Sequence, residues 1–175
     1  MTRKKEVPVT ITYLEMLSKR ENIKGEPFVK DMKVERVNEP PVPFYREMYH
    51  AVGGKWHWQE RKQLTNDQLK EIIQHPDVYL YVLRVEGKIV GFAELDYRKK
   101  PDMELKYFGL VPEYIGKGYG SYFLNWTIQK AWEFKPHRLW LHTCSLDHPR
   151  SLEFYEETGF VVYKVETRTD NVPSM

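Results

Sequence analysis

The chain has 175 residues, 41% of them hydrophobic and 30% charged, with a formal net charge of +2. That length suits one domain and leaves no room for two enzyme domains and a linker. The near balance of charge excludes the basic face that nucleic-acid binding requires, and the longest apolar run, Val78 to Leu83, is far short of the ~20 residues that cross a bilayer as a helix. A mean hydropathy of −0.64 would suit a disordered chain, but 8 Phe, 5 Trp and 12 Tyr, 14% of the residues, supply the apolar surface that disorder lacks. A lone cysteine, Cys144, forms neither an internal disulfide nor a cysteine-based metal cluster, in keeping with a reducing cytoplasm. The basic N-terminus, Met1 to Glu6, is followed by Pro8, Thr10 and Thr12 where a secretion signal would be apolar, so a cytoplasmic location is expected.

Residues 1 to 42 are expected to hold an N-terminal strand pair, Val9 to Leu14 and Met32 to Val37, flanking a charged, glycine-containing loop from Lys19 to Glu26. Pro43 is placed as an early residue of a helix from Phe44 to Val52, which Gly53-Gly54 ends. A connector, Lys55-Trp56-His57-Trp58-Gln59-Glu60-Arg61, leads to Thr65-Asn66-Asp67-Gln68, a capping-box sequence that predicts a helix from Asn66 to Gln74. Val78 to Arg84 and Ile89 to Tyr97 read as an antiparallel hairpin about Glu86-Gly87-Lys88. Met103 to Val111 follows as a third strand. A helix from Gly120 to Phe134, a strand from Arg138 to Cys144, a short helix opened by Pro149 and a last strand from Phe160 to Thr167 complete the order ββααβββαβαβ. The fold class is α/β, one mixed sheet with helices on its faces, in a single domain spanning residues 1–175.

Four of the ten glycines, Gly109, Gly116, Gly118 and Gly120, lie within twelve residues between a strand and a helix. Such a turn presents unpaired amides and the positive end of a helix dipole, and so suits an anionic group such as a phosphate. A mononucleotide P-loop is excluded because Val111 stands where its first glycine belongs and Gly118 where Ser or Thr would follow the lysine. A dinucleotide fingerprint fails at Ser121, which replaces its third glycine.

The stretch Leu110-Val111-Pro112-Glu113-Tyr114-Ile115-Gly116-Lys117-Gly118-Tyr119-Gly120-Ser121, followed by Leu152-Glu153-Phe154-Tyr155-Glu156-Glu157-Thr158-Gly159-Phe160, resembles the two motifs of the GNAT superfamily of acyl-CoA-dependent N-acetyltransferases. The match covers residues 66 to 167. It implies a central, mostly antiparallel sheet with helices on both faces and a splayed strand pair at the coenzyme A cleft. It further implies acetyl-CoA as co-substrate, with the loop amides of Ile115, Gly116, Lys117, Gly118, Tyr119, Gly120 and Ser121 holding its pyrophosphate. Ile115 replaces the family's usual Arg or Gln, and His148 its usual Asn.

By the same resemblance, the amides of Leu110 and Val111 hold the thioester carbonyl and the pantetheine arm, with a bulge expected at Gly109. Tyr155 corresponds to the general acid that protonates the leaving thiolate. Glu104 is the expected general base, with Glu94 as competitor. A symmetric turn between their strands sets the two carboxylates on opposite faces, and a one-residue change of register sets them on the same face. Trp56, His57 and Trp58 lie where the family binds its acceptor. No set of residues has metal-ligand spacing, and a Cys144–His142–Asp147 nucleophile is unnecessary for a thioester donor. The expected activity is acetyl transfer to a primary amine, on a small molecule or a protein lysine, with no membrane or nucleic-acid partner and with a homodimer left open. The alternative is a non-catalytic acyl-CoA-binding regulatory module.

Overall fold

A computed structural model describes residues 4–21 and 26–173; positions 22–25 of the expected Lys19–Glu26 loop lie outside the described residues. In chain order the elements are β1 (Lys4–Met16), β2 (Met32–Val37), α1 (Val42–Gly53), α2 (Asn66–Ile73), β3 (Val78–Val85), β4 (Lys88–Asp96), β5 (Asp102–Leu110), α3 (Tyr119–Glu133), β6 (Arg138–Cys144), α4 (Ser151–Thr158) and β7 (Val161–Pro173). The expected order therefore holds, with one-turn 3₁₀ segments added at Gly54–Trp56, Glu60–Gln63 and Pro112–Tyr114. Local chemistry explains several boundaries. The capping box forms in full, with Thr65 Oγ1 accepting from the Gln68 amide and Gln68 Oε1 from the Thr65 amide. Gly159, at φ +111°, closes α4 in the left-handed conformation that favours glycine.

All seven strands join one sheet in the order β2-β3-β4-β5-β6-β1-β7. This corrects the expected N-terminal strand pair, because β1 and β2 never meet. β2 lies on β3 at one edge, whereas β1 is inserted between β6 and β7. Buried Val9, Ile11, Leu14 and Met16 require cover along β1 that an edge position would not give. β1 and β7 also run well past their expected ends. They pair with each other from Lys4 opposite Pro173 to Glu15 opposite Val161, and the added length, Lys4 to Pro8 against the residues after Thr167, is mostly polar and lacks the apolar alternation that marks a strand in sequence.

Two cores sandwich the sheet. On one face, Phe123, Leu124 and Ile128 of α3 pack with Met103, Leu105, Leu139 and Leu141; on the other, Tyr45, Tyr49 and Val52 of α1 and Leu69 of α2 pack on Leu80, Val82 and Phe92. The crossover through α3 makes β5 and β6 parallel, as such connections require. Their pairing covers only Asp102–Glu104 against Arg138–Trp140. Beyond it the two strands part, and the gap between them positions the site.

Candidate active site

A cleft of about 1050 Å³ occupies the gap, walled by Phe108 and Leu110 of β5, His142 of β6 and Tyr155 of α4, and reached by the 3₁₀ connector after α1. At one end lies the glycine loop. Gly116 (φ +79°) and Gly118 (φ +89°) hold conformations that L side chains rarely adopt. Gly118 is the N-cap of α3 and brings no side-chain cap. The first ladder bond runs from the Tyr122 amide to the Gly118 carbonyl, 3.3 Å, so the amides of Gly118, Tyr119, Gly120 and Ser121 lack helical acceptors. Ile115, Gly116, Gly118, Gly120 and Ser121 line the cleft. Lys117 and Tyr119 are not part of its wall: the Lys117 ammonium lies 5.9 Å from the Tyr114 ring, and Tyr119 packs between Tyr114 and Phe28.

The bulge expected at Gly109 lies instead at Lys106, where β5 passes from Leu105 opposite Leu95 to Tyr107 opposite Glu94. Gly109 serves a different need. A Cβ there would sit 2.6 Å from Val52 Cγ1 and 3.6 Å from the Trp58 ring, so its absence lets α1 and the connector approach the sheet. The Val111 amide is not available to a ligand, because it donates to the Val90 carbonyl at 2.8 Å. With Val111 bonded to β4, the antiparallel alternation turns the Leu110 amide to the side that β6 has vacated.

The four residues Glu94, Asp96, Glu104 and Lys106 settle the register question. Asp96 stands opposite Glu104, one residue from the symmetric pairing, so Glu94, Asp96 and Glu104 share a face. Their environments differ. Glu94 is fully buried; its carboxylate is 2.6 Å from Arg61 Nη2 and accepts from the Tyr45 hydroxyl at 2.6 Å. Burial raises its pKa, opposed by Arg61 and Tyr45. Glu104 keeps 14% of its side-chain surface exposed, with Lys106 Nζ and His142 Nε2 both 3.9 Å from Oε1. Desolvation, reinforced by Asp96, Glu60 and Glu94, pushes the Glu104 carboxyl up to about 7, although Lys106 opposes it. It borders a side cavity of about 190 Å³, which shares Glu60 and Lys106 with the main cleft. Burial and Lys106 lower the pKa of His142, which keeps its ring neutral at pH 7 on the cleft side of Glu104.

Tyr155 lines the cleft half-buried among Phe108, Phe154 and Phe160. Burial and then Asp147 hold its phenol above the ordinary value, so it stays a proton donor at pH 7. Asp147 accepts from the Thr143 hydroxyl (2.6 Å) and the Cys144 amide (2.8 Å), which fixes the end of β6. His148 Nδ1 accepts from the Arg150 amide at 3.1 Å, and its ring meets Trp56 edge-on at 5.1 Å. Trp56 and His57 stand at the cleft wall, His57 at φ +60°. Trp58 touches the cleft but chiefly fills the second core, against Tyr49, Phe92 and Tyr107. Sequence reasoning missed Arg61, whose burial in a charged connector has no periodic signal, and Lys106, whose position depends on a bulge. Among the described residues, no group of three or more His, Cys, Asp or Glu could hold a metal ion, and no helix is long and apolar enough to cross a membrane.

A parallel strand pair that parts beside an uncapped glycine loop belongs to a known class of acyl-transferring folds. The chain belongs to the acetyltransferase (GNAT) family, whose model matches residues 33–160. It is 28% identical over 104 residues to uncharacterized N-acetyltransferases of Mycobacterium tuberculosis and Mycobacterium bovis, covering 59% of this chain and 66% of theirs. It thus spans just under two thirds of those relatives. Among solved structures, it is similar to a GCN5-related N-acetyltransferase from Sphaerobacter thermophilus, with a TM-score of 0.70 and 12% identity over 98% of this chain and 54% of that one. An aminoglycoside acetyltransferase from an uncultured soil metagenomic sample, solved with sisomicin, matches with a TM-score of 0.60 and 19% identity over 74% and 88% of the two chains. At these identities the structures speak for the fold alone.

Proposed function

We propose that the protein transfers an acetyl group from acetyl-CoA to a primary amine by direct attack within a ternary complex. The observation that carries this reading is the first turn of α3, whose amides from Gly118 to Ser121 lack helical acceptors and whose Gly118, Gly120 and Ser121 line a cleft bordered by a proton donor, Tyr155, and leading to a near-neutral carboxyl, Glu104. The residues suit the donor. The amide row and the α3 dipole match a pyrophosphate, and His148, on the cleft wall with Nδ1 taken by the Arg150 amide, keeps Nε2 to donate to the pantetheine arm. When bound, acetyl-CoA supplies the activated thioester carbonyl. The Leu110 amide is then placed to stabilise the developing oxyanion, and the Tyr155 hydroxyl to give its proton to the sulfur. Glu104 takes the proton of the incoming amine through water, past His142 and Lys106, its pKa suiting that task near neutrality. Trp56 and His57 flank the acceptor, an amine on a small molecule or a protein lysine.

The test begins with binding. Acetyl-CoA should raise the melting temperature by binding the folded state, and Gly118→Glu, which puts a strained and negatively charged residue at φ +89°, should abolish that rise in a folded protein. A panel of amines assayed for thiol release then identifies the acceptor. No thermal shift at saturating acetyl-CoA would refute the proposal.

A further inference from the structure

β7 is an end strand of the sheet and pairs along one side only, with β1. It is 13 residues long, where sheets usually protect a free edge by keeping it short or broken. Three of the six large exposed hydrophobic side chains among the described residues belong to it: Val161 at 65%, Tyr163 at 40% and Val165 at 59%. Between and beyond them runs a charge ladder, Lys164, Glu166, Arg168 and Asp170. Ion pairs Lys164–Glu166 and Arg168–Asp170 show that neighbouring members share one side of the strand.

Reversing that ladder inverts its signs. When two copies of β7 are laid antiparallel about Thr167, Lys164 meets Asp170 and Glu166 meets Arg168, each pair twice by symmetry. Moving the axis to Val165 or Thr169 loses half of these matches, and moving it to Glu166 opposes Glu166 to itself and Lys164 to Arg168. We propose that the free edge of β7 is a dimerisation surface on which a second copy of this chain lays its own β7 antiparallel, with the two-fold axis at Thr167. The two sheets then continue as one, and the backbone groups left open on β7 are paired. Opposite charges placed directly across such a pair stabilise it, and like charges oppose it. With 13 residues a side, against roughly 20–30 in a standard interface, the dimer is of modest affinity and weakens with salt. Arg168 and Asp170 also line the cleft, so Lys164 of the second copy stands at its end.

The test reads mass and is independent of the acyl-transfer reading. Sedimentation equilibrium on the full chain should give a reversible dimer whose dissociation constant rises with salt. Lys164→Glu and Asp170→Lys should each weaken it by about tenfold or more, and the double variant, which restores opposite charges across the axis, should recover it. That recovery separates a cross-strand ladder from the ion pairs within one strand, which the double variant leaves broken. A wild-type protein that stays monomeric, a dimer that the single variants leave intact, or a double variant no tighter than the singles each overturns the proposal. Circular dichroism confirms that the variants fold, both side chains being at the surface.

Discussion

Glu104→Gln should remove activity and add stability, the second in a pH-dependent way. Burial and three neighbouring carboxylates lift the Glu104 carboxyl from an ordinary value near 4.5 to about 7, so the folded protein holds a proton that the unfolded chain releases. Between those values the folded state binds more protons than the unfolded state, and stability therefore falls as pH rises through the window. The full cost, present above pH 7, is about 3 kcal/mol. Glutamine is isosteric and uncharged, so the variant escapes the cost. Relative to wild type it should gain up to about 3 kcal/mol at pH 8, or roughly 6–12 °C for a chain of this length, and almost nothing at pH 4.5. Urea unfolding of both proteins at the two pH values measures this difference. In parallel, kcat/KM of the wild type should rise with pH through about 7 as the carboxyl ionises, and the variant should lose about a hundredfold or more. A gain in stability independent of pH, or a variant that keeps its turnover, would refute the reasoning.

Three further outcomes follow from the packing. Arg61→Met strands the Glu94 carboxylate in the second core and should cost about 3–5 kcal/mol at pH 7; Arg61→Met combined with Glu94→Gln should recover much of it, and additive calorimetric losses would contradict the ion pair. Gly109→Ala forces a methyl against Val52, which is 1% exposed, so a loss of about 1–3 kcal/mol in chemical denaturation is expected. The two tryptophans should separate: Trp58→Ala lowers the melting temperature by removing a core ring, while Trp56→Ala leaves it nearly unchanged and raises the KM of the acceptor.

The elements in the sequence were legible wherever local chemistry decides them. The Thr65–Gln68 box, the Gly159 cap and the hairpin about Gly87 each depend on a few adjacent residues, and the glycine loop declared itself through conformations few other residues adopt. Placement in the sheet was less legible. Nothing local in Val9 to Leu14 says that its neighbours are Arg138–Cys144 and Val161–Pro173, since such partners are chosen by what each strand must bury. The carboxylates illustrate the same limit at the site. Both candidates were visible, but which one is neutralised by Arg61 and which keeps access to solvent depends on a single inserted residue, Lys106. Trp58 looked like a pocket residue because it sits in a loop, yet the glycines at 53 and 109 leave room that only a large ring fills.

The position of β1 bears on how the molecule is assembled. The strands β2 to β5 pair with neighbours in sequence, β3 to β5 through short turns and β2 to β3 across the segment that carries α1 and α2, so that half can form as the chain emerges. β1 pairs with β6 and β7, its Thr10 amide meeting the Ser145 hydroxyl across 135 residues of separation. Its partners therefore become available only after β6 and β7 have been made, and closing so long a loop is slow. The far wall of the cleft, built on β6, β1 and β7, therefore rests on contacts between segments remote in sequence, whereas the near wall of β4 and β5 rests on a hairpin.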